Sequence, residues 1–478
     1  MSPDAAPDGS LFSPGRRSLT VGLVLTITLV AFEALAISTV MPDVVRELHG
    51  IELYGWVFTA FVLASLIGIV VSGGLIDRRG LGLPYALGLG LFAIGLTAGG
   101  LAPSMPILVV ARAVQGLGAG AIPPIAYVAI GRSLPERLRP RMFATLSTAW
   151  VLPGVFGPAI AGAVGDTIGW RAVFLGLLPL IAVAAAISYP AVRRVDARRD
   201  ATDATDAEAP AAASLRRRLP LALLVAGGAG LFLAGLTSGQ PVAVVGLTVI
   251  GAAIGLPALG RLTPHGTLRA ARGLPTAVLL RGVLTFCFFA VDAYVALTLV
   301  DWRGQTLIQA GISLTAATLA WTAGSWIQAR LAWRWGPERF VRAGIAVVAI
   351  GLAAFILVLD QDVSEWLAVP TFGLAGLGMG LAYAPLTLIV LREARPAEQG
   401  AATAALSLTD SLGTALGTGV TGAIVAASIR GTDAPVIGLG VAFALAVGVA
   451  LIGLVLTRRL SSAAVRSPRV SGVVVPGS

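Results

Sequence analysis

A stretch of about twenty apolar residues, long enough to cross ~30 Å of hydrocarbon, recurs fourteen times along the chain. The stretches lie near residues 19–40, 53–76, 83–103, 106–130, 142–165, 170–190, 219–237, 241–260, 276–300, 306–330, 341–360, 366–390, 401–427 and 436–457. Such a series predicts an all-α integral membrane protein with 14 transmembrane helices. Composition agrees: 56 % of the 478 residues are hydrophobic, only 12 % are charged, and the mean hydropathy is +0.88, far from the mix of a water-soluble domain. The first stretch follows Arg16 and Arg17 as a signal peptide would, but its apolar run is long and thirteen more follow, so it reads as an uncleaved span.

Charge placement tests the register of these spans. All 34 basic residues are arginine. With both termini on the cytoplasmic side, only Arg46, Arg171, Arg303 and Arg430 fall in outer connections, and only Arg112 and Arg281 fall within spans. Arginines therefore crowd the inner side, as the positive-inside rule requires, and the plasma (inner) membrane with both termini cytoplasmic is the expected location. A net charge of +10 distributed in this way excludes nucleic acid as a partner, because binding it needs basic residues gathered on one soluble face. One cysteine, Cys287, excludes an internal disulfide. No clustered ligand set predicts a metal or a cofactor, and no nucleophile and base set or phosphate-cradling loop predicts an enzyme.

Residues 191–218, rich in Ala, Asp and Arg, read as a flexible cytoplasmic linker. An internal repeat divides the rest. "GLGAGA" at Gly116–Ala121 returns as "GLGMGL" at Gly376–Leu381, and the same displacement carries Arg132 onto Arg392 and Gly157 onto Gly417. A slightly shorter displacement carries "DRRG" at Asp77–Gly80 onto "WRWG" at Trp333–Gly336. The expected organisation is two pseudo-symmetric six-helix bundles, residues 1–190 and 263–460, with two extra helices over 219–262 and a cytoplasmic tail over 461–478. Parallel halves of this kind form one class of secondary transporter, whose site lies between them near the midplane.

Four short motifs carry a resemblance to a family. Gly73-x-Leu75-x-Asp77-Arg78-x-Gly80 resembles the cytoplasmic loop signature of the major facilitator superfamily, although Leu81 and Gly82 stand where that family usually has basic residues. Arg112-x-x-Gln115-Gly116 is similar to its fourth-helix pattern. Gly154-x-x-Gly157-Pro158-x-x-Ala161-Gly162 resembles the fifth-helix motif that marks exporters rather than importers, and "GWRAVF" at Gly169–Phe174 is similar to the start of the sixth helix in the fourteen-helix drug:proton antiporters. The resemblance implies that Asp77, Arg78 and Gly80 latch the inner loop, with Asp77 reaching the start of span 13. It implies a conformational role for Gly157 and Pro158, and a part in proton coupling for Arg112 and Gln115. Read from chemistry alone, an arginine at mid-helix costs at least ~2.5 kcal/mol unless it faces a wet cavity or a partner, so Arg112 is expected to face the cavity.

Three acids lie within spans: Glu33, Asp292 and Asp410. A carboxyl withdrawn from water can hold its proton up to 3–5 pH units higher than in water, which reaches the physiological range, and an intramembrane charge is a functional candidate by default. All three are candidates for proton or cation binding, with a structural bond to a neighbouring Ser or Thr as the alternative for Glu33. Arg281 is expected to snorkel to the inner surface. Tyr127, Trp150, Phe289 and Tyr294 are candidate cavity-lining aromatics for flat, hydrophobic or cationic cargo. The resulting expectation is proton-coupled efflux of small amphiphilic or cationic compounds by alternating access, by a monomer whose partners are cargo, protons and membrane lipid. A dedicated exporter of one cellular product, an uptake carrier and a non-transporting sensor are the competing readings.

Overall fold

The computed structural model describes residues 11–13, 16–135, 138, 142, 145–146, 149, 151–200, 208–395, 398–432 and 435–460. Among them the regular elements are helices: α1 (Arg17–Leu48), α2 (Tyr54–Arg79), α3 (Gly82–Gly100), α4 (Met105–Ser133) and α5 (Val151–Thr167). A short helix, Trp170–Leu175, leads into α6 (Leu177–Asp200). Then come α7 (Glu208–Thr237), α8 (Pro241–Leu262), α9 (Leu274–Leu297), α10 (Leu307–Trp335), α11 (Pro337–Ile356), α12 (Ala368–Glu393), α13 (Gln399–Thr432) and α14 (Pro435–Leu456). Twelve helical stretches are long and apolar enough to cross a membrane. The other two are α5, with 17 described residues, and α10, whose Gln, Thr, Ser and Trp content dilutes its hydropathy.

Helix pairing repeats along the chain. In the first part α2 packs on α4, α3 on α4, α1 on α5 and α1 on α6; in the last part α10 packs on α12, α11 on α12, α9 on α13 and α9 on α14. The repeated glycines explain the first of these pairings. A Cβ on Gly116 would stand 2.1 Å from the Phe61 carbonyl oxygen and one on Gly120 2.0 Å from that of Ser65. In the second part the distances are 2.1 Å from Gly376 to the Ala317 oxygen and 2.0 Å from Gly380 to the Trp321 oxygen. Only hydrogen fits at these four places, so the backbones approach closely and gain dispersion energy that Leu-to-lipid contacts cannot supply.

The parts meet along α2 with α13 and α5 with α10. Helices α7 and α8 form a hairpin packed on α2 and α13 from the side. Leu63, Leu66, Val225, Ala229, Leu408 and Leu412 share a core there, while Val242, Val245 and Val249 of α8 stay exposed, as residues facing lipid would. Much of the segment expected to be a flexible linker is helix: α6 runs to Asp200 and α7 begins at Glu208. Ala and Arg are strong helix formers, and Asp196 of α6 is anchored to the α2–α3 loop, as described below.

Gly120→Val and Gly380→Val place a branched side chain against backbone that cannot move aside, so each is expected to cost at least the 1–3 kcal/mol typical of overpacking. Gly448→Ala enters open space and is expected to be near neutral. Thermal unfolding in detergent checks the contrast.

Candidate functional site

Among the described residues, two clusters of buried charge lie between the helices. The first joins α1 to α4. Arg112 and Gln115, three residues apart, share one face of α4, and the guanidinium Nη1 donates both to Glu33 Oε1 of α1 and to Gln115 Oε1, the latter at 2.6 Å. Nε of Arg112 donates to the Val57 carbonyl at 3.2 Å, and the guanidinium carbon lies 4.2 Å from the Phe61 ring centroid. Glu33 and Gln115 have no exposed surface and Arg112 only 3 %. The arginine that sequence placed in a wet cavity has therefore found a carboxylate instead, and Glu33 has found an arginine rather than a Ser or Thr. Removing one member of such a pair leaves the other charge buried and uncompensated. Glu33 Oε2 and Gln115 Nε2 remain without a hydrogen-bond partner among the described residues.

The second cluster joins α9, α12 and α13. Tyr383 Oη donates to Asp410 Oδ2 at 3.0 Å. Arg281 Nε is 3.7 Å from Asp410 Oδ1, its guanidinium carbon is 3.4 Å from the Tyr383 ring centroid, and Nη2 donates to Thr387 Oγ1 at 2.6 Å. Arg281 does not snorkel. It is buried because an intramembrane carboxylate and an aromatic face lie within its reach, and these replace the water at the surface. Unlike Glu33, Asp410 keeps 27 % of its side chain exposed. An aromatic run extends from Tyr383 to Trp321, centroids 5.4 Å apart, and on to Phe288 at 5.5 Å.

Asp292 joins neither cluster: it is half-buried in α9 and makes no hydrogen bond or ion pair among the described residues. Of the aromatic candidates, Tyr127 is 55 % exposed. Phe289 packs edge-on against Phe288. Tyr294, expected in a cavity wall, is fully buried. Its ring packs at a tilt against Tyr54, centroids 4.8 Å apart, and its hydroxyl donates to the Thr418 carbonyl, so it seals a contact and lines no opening. Trp150 lies outside the described residues.

The motif residues divide in the same way. Gly80 takes φ +72°, a conformation suited to glycine, and the turn it makes presents the Leu81 and Gly82 N–H groups to the Asp196 carboxylate at 2.7–2.8 Å. A carboxylate at the start of α3 also opposes the positive end of its dipole. Arg78 is exposed, and the side chain of Asp77 lies outside the described residues. In α5, Pro158 faces Gly311 and Gly154 faces Thr318, both on α10, while Gly157 faces Phe32 and Leu35 of α1. Sequence reading missed the parts played by Asp196, Arg281 and Tyr383. Asp410 was the available signal for Arg281, since a second intramembrane charge of opposite sign is the natural partner.

Contacts between the two parts gather toward the end that carries the α1–α2 connection. Tyr54 Oη donates to the Ala293 carbonyl at 2.7 Å, Thr59 bonds to α13 at the Ala415 carbonyl and at Thr418, and Arg46 pairs with Asp301 at 3.3 Å.

Breaking the first pair from one side is expected to be severe: Glu33→Gln or Arg112→Met alone should lose about 3–5 kcal/mol. The double variant, with no stranded charge, should recover most of that loss. Unfolding in detergent over the full double-mutant cycle measures the coupling.

The profile of the Major Facilitator Superfamily matches residues 23–418 and 284–474. A probable multidrug-efflux transporter of Mycobacterium tuberculosis is 27 % identical over 93 % of this chain and 95 % of its own length. A multidrug transporter of Bacillus subtilis is 25 % identical over 86 % of this chain and 75 % of its own. Among solved structures, an auto-inhibited peptide transporter of the POT family superimposes with a TM-score of 0.67 at 15 % identity, covering 93 % of this chain and 97 % of that one. The xylose transporter XylE of E. coli superimposes at 0.59, with 13 % identity over 93 % and 99 % of the two chains. Profile and relatives cover nearly every helix, including those that carry both charge clusters: this chain belongs to the major facilitator superfamily and is a multi-pass membrane transporter, not an enzyme.

Proposed function

We propose that this transporter exports small amphiphilic and cationic compounds in exchange for protons. Its relatives are named as multidrug transporters, and the fifth-helix glycine and proline motif speaks for export. The observation that carries proton coupling is Asp410, a carboxylate within an apolar helix, bonded to Tyr383 and still 27 % exposed. In this reading helices α1–α6 and α9–α14 are two pseudo-symmetric six-helix bundles, α7 and α8 are an added pair that brings the spans to fourteen, and the bundles rock about the space between them. The protein works as a monomer in the plasma membrane with both termini in the cytoplasm, which puts the α1–α2 end outside and closes the described conformation to the outer side.

Asp410 takes a proton when the space opens outward and releases it inward, and cargo competes for the ionised form. Glu33 and Arg112 form a second, sealed charge pair that protonation of Glu33 would open, with Asp292 a further acid on the same path. The driving force suffices. One proton gains ~1.36 kcal/mol per pH unit and ~2.3 kcal/mol per 100 mV, enough to sustain a gradient of several hundred-fold for a neutral cargo.

Proteoliposomes loaded with a cationic dye and given a pH gradient test the reading. The parent should move dye, and Glu33→Gln and Asp410→Asn should each lose gradient-driven movement by at least tenfold. Dye movement unchanged in both variants would refute the coupling role.

A further inference from the structure

The two buried ion pairs are built differently. Arg112 meets Glu33 within hydrogen-bonding distance and both are sealed. Arg281 and Asp410 are 3.7 Å apart, and Arg281 Nε, Arg281 Nη1 and Asp410 Oδ1 have no hydrogen-bond partner among the described residues. What holds the Arg281 guanidinium is one hydroxyl, Thr387, and the Tyr383 face at 3.4 Å. A buried pair that is poorly hydrogen-bonded recovers little of its desolvation cost, so another cation can break it cheaply. A carboxylate beside an aromatic face is also the recognition chemistry of an organic cation. Trp321 extends that face, which suits a flat or bulky one.

We infer that Arg281 is a tethered cation that, in the empty carrier, occupies the place a cationic group of cargo takes against Asp410 and Tyr383, and that it thereby sets the preference for charged over neutral cargo. On cargo binding the guanidinium withdraws, with Thr387 as its remaining anchor, and the cargo cation takes over the carboxylate. This inference rests on the transporter reading above and names the cargo subsite within it.

Equilibrium binding of radiolabelled tetraphenylphosphonium to the purified, full-length protein in detergent tests it without any gradient. Arg281→Gln should bind the cation at least fivefold more tightly than the parent. Arg281→Lys, still a tethered cation, should bind no tighter than the parent. Asp410→Asn should bind at least fivefold more weakly, and adding Arg281→Gln to it should restore nothing. Arg281→Gln binding no tighter than the parent, or tightening equally in the Asp410→Asn background, overturns the inference. A second measurement needs no variant: phenylglyoxal modification of Arg281, mapped by peptide mass spectrometry, should accelerate severalfold with tetraphenylphosphonium present, and unchanged or slower modification overturns it as well. A parent that binds the cation yet ignores a pH gradient would refute the proton-coupled reading and leave this subsite standing.

Discussion

Among the described residues, Arg112 and Arg281 are the arginines buried among apolar helices, and a guanidinium withdrawn from water stays charged, so each position is stable only where an opposite charge comes to meet it. That requirement reaches through the molecule. Glu33 must project from α1 toward α4, and Asp410 from α13 toward α9 and α12, which fixes the rotation of these helices about their own axes. Each pair also sits against an aromatic ring, Phe61 for Arg112 and Tyr383 for Arg281, on the helix that the glycine repeat brings close or on the helix that carries the repeat.

The glycines make such closeness possible. Gly116 and Gly120 bring α4 onto the backbone of α2 at Phe61 and Ser65, and Gly376 and Gly380 bring α12 onto α10 at Ala317 and Trp321. Between the parts the contacts are smaller and more polar: hydroxyls of Tyr54 and Thr59 on carbonyls of α9 and α13, and Pro158 against Gly311. The glycine seams cannot open without exposing backbone to lipid. Asp410, partly exposed, lies on α13, one of the helices through which the two parts meet.

Much of this was legible in the sequence because hydrocarbon is a severe solvent. Apolar runs of helical length marked the helices, twelve of which are long and apolar enough to cross a membrane, and the glycine repeat announced a duplicated packing arrangement. The chemistry was less legible. Sequence spacing relates residues on one helix, as with Arg112 and Gln115, but gives no register between helices, so the pairing of Glu33 with Arg112 and of Asp410 with Arg281 could not be read. Arg281 lies two turns inside α9, close enough to an end for snorkelling to be the reasonable expectation; the carboxylate that retains it comes from a helix more than a hundred residues away. Tyr294 was misplaced for a related reason. Tyr294 lies on the face of α9 that is pressed against Tyr54 and α13, and composition does not separate that face from the others. Asp196 was hidden in a stretch that reads as linker, rich in alanine, aspartate and arginine.

If carboxylates buried in these helices exchange protons for cargo, the exchange must run backwards as readily as forwards. The most direct measurement follows lumenal pH in proteoliposomes that start with equal pH on both sides and only a gradient of ethidium. The account predicts that ethidium leaving down its gradient draws protons into the lumen, acidifying it in the parent protein and not in Asp410→Asn. Ethidium flux through the parent with no change in lumenal pH would contradict it.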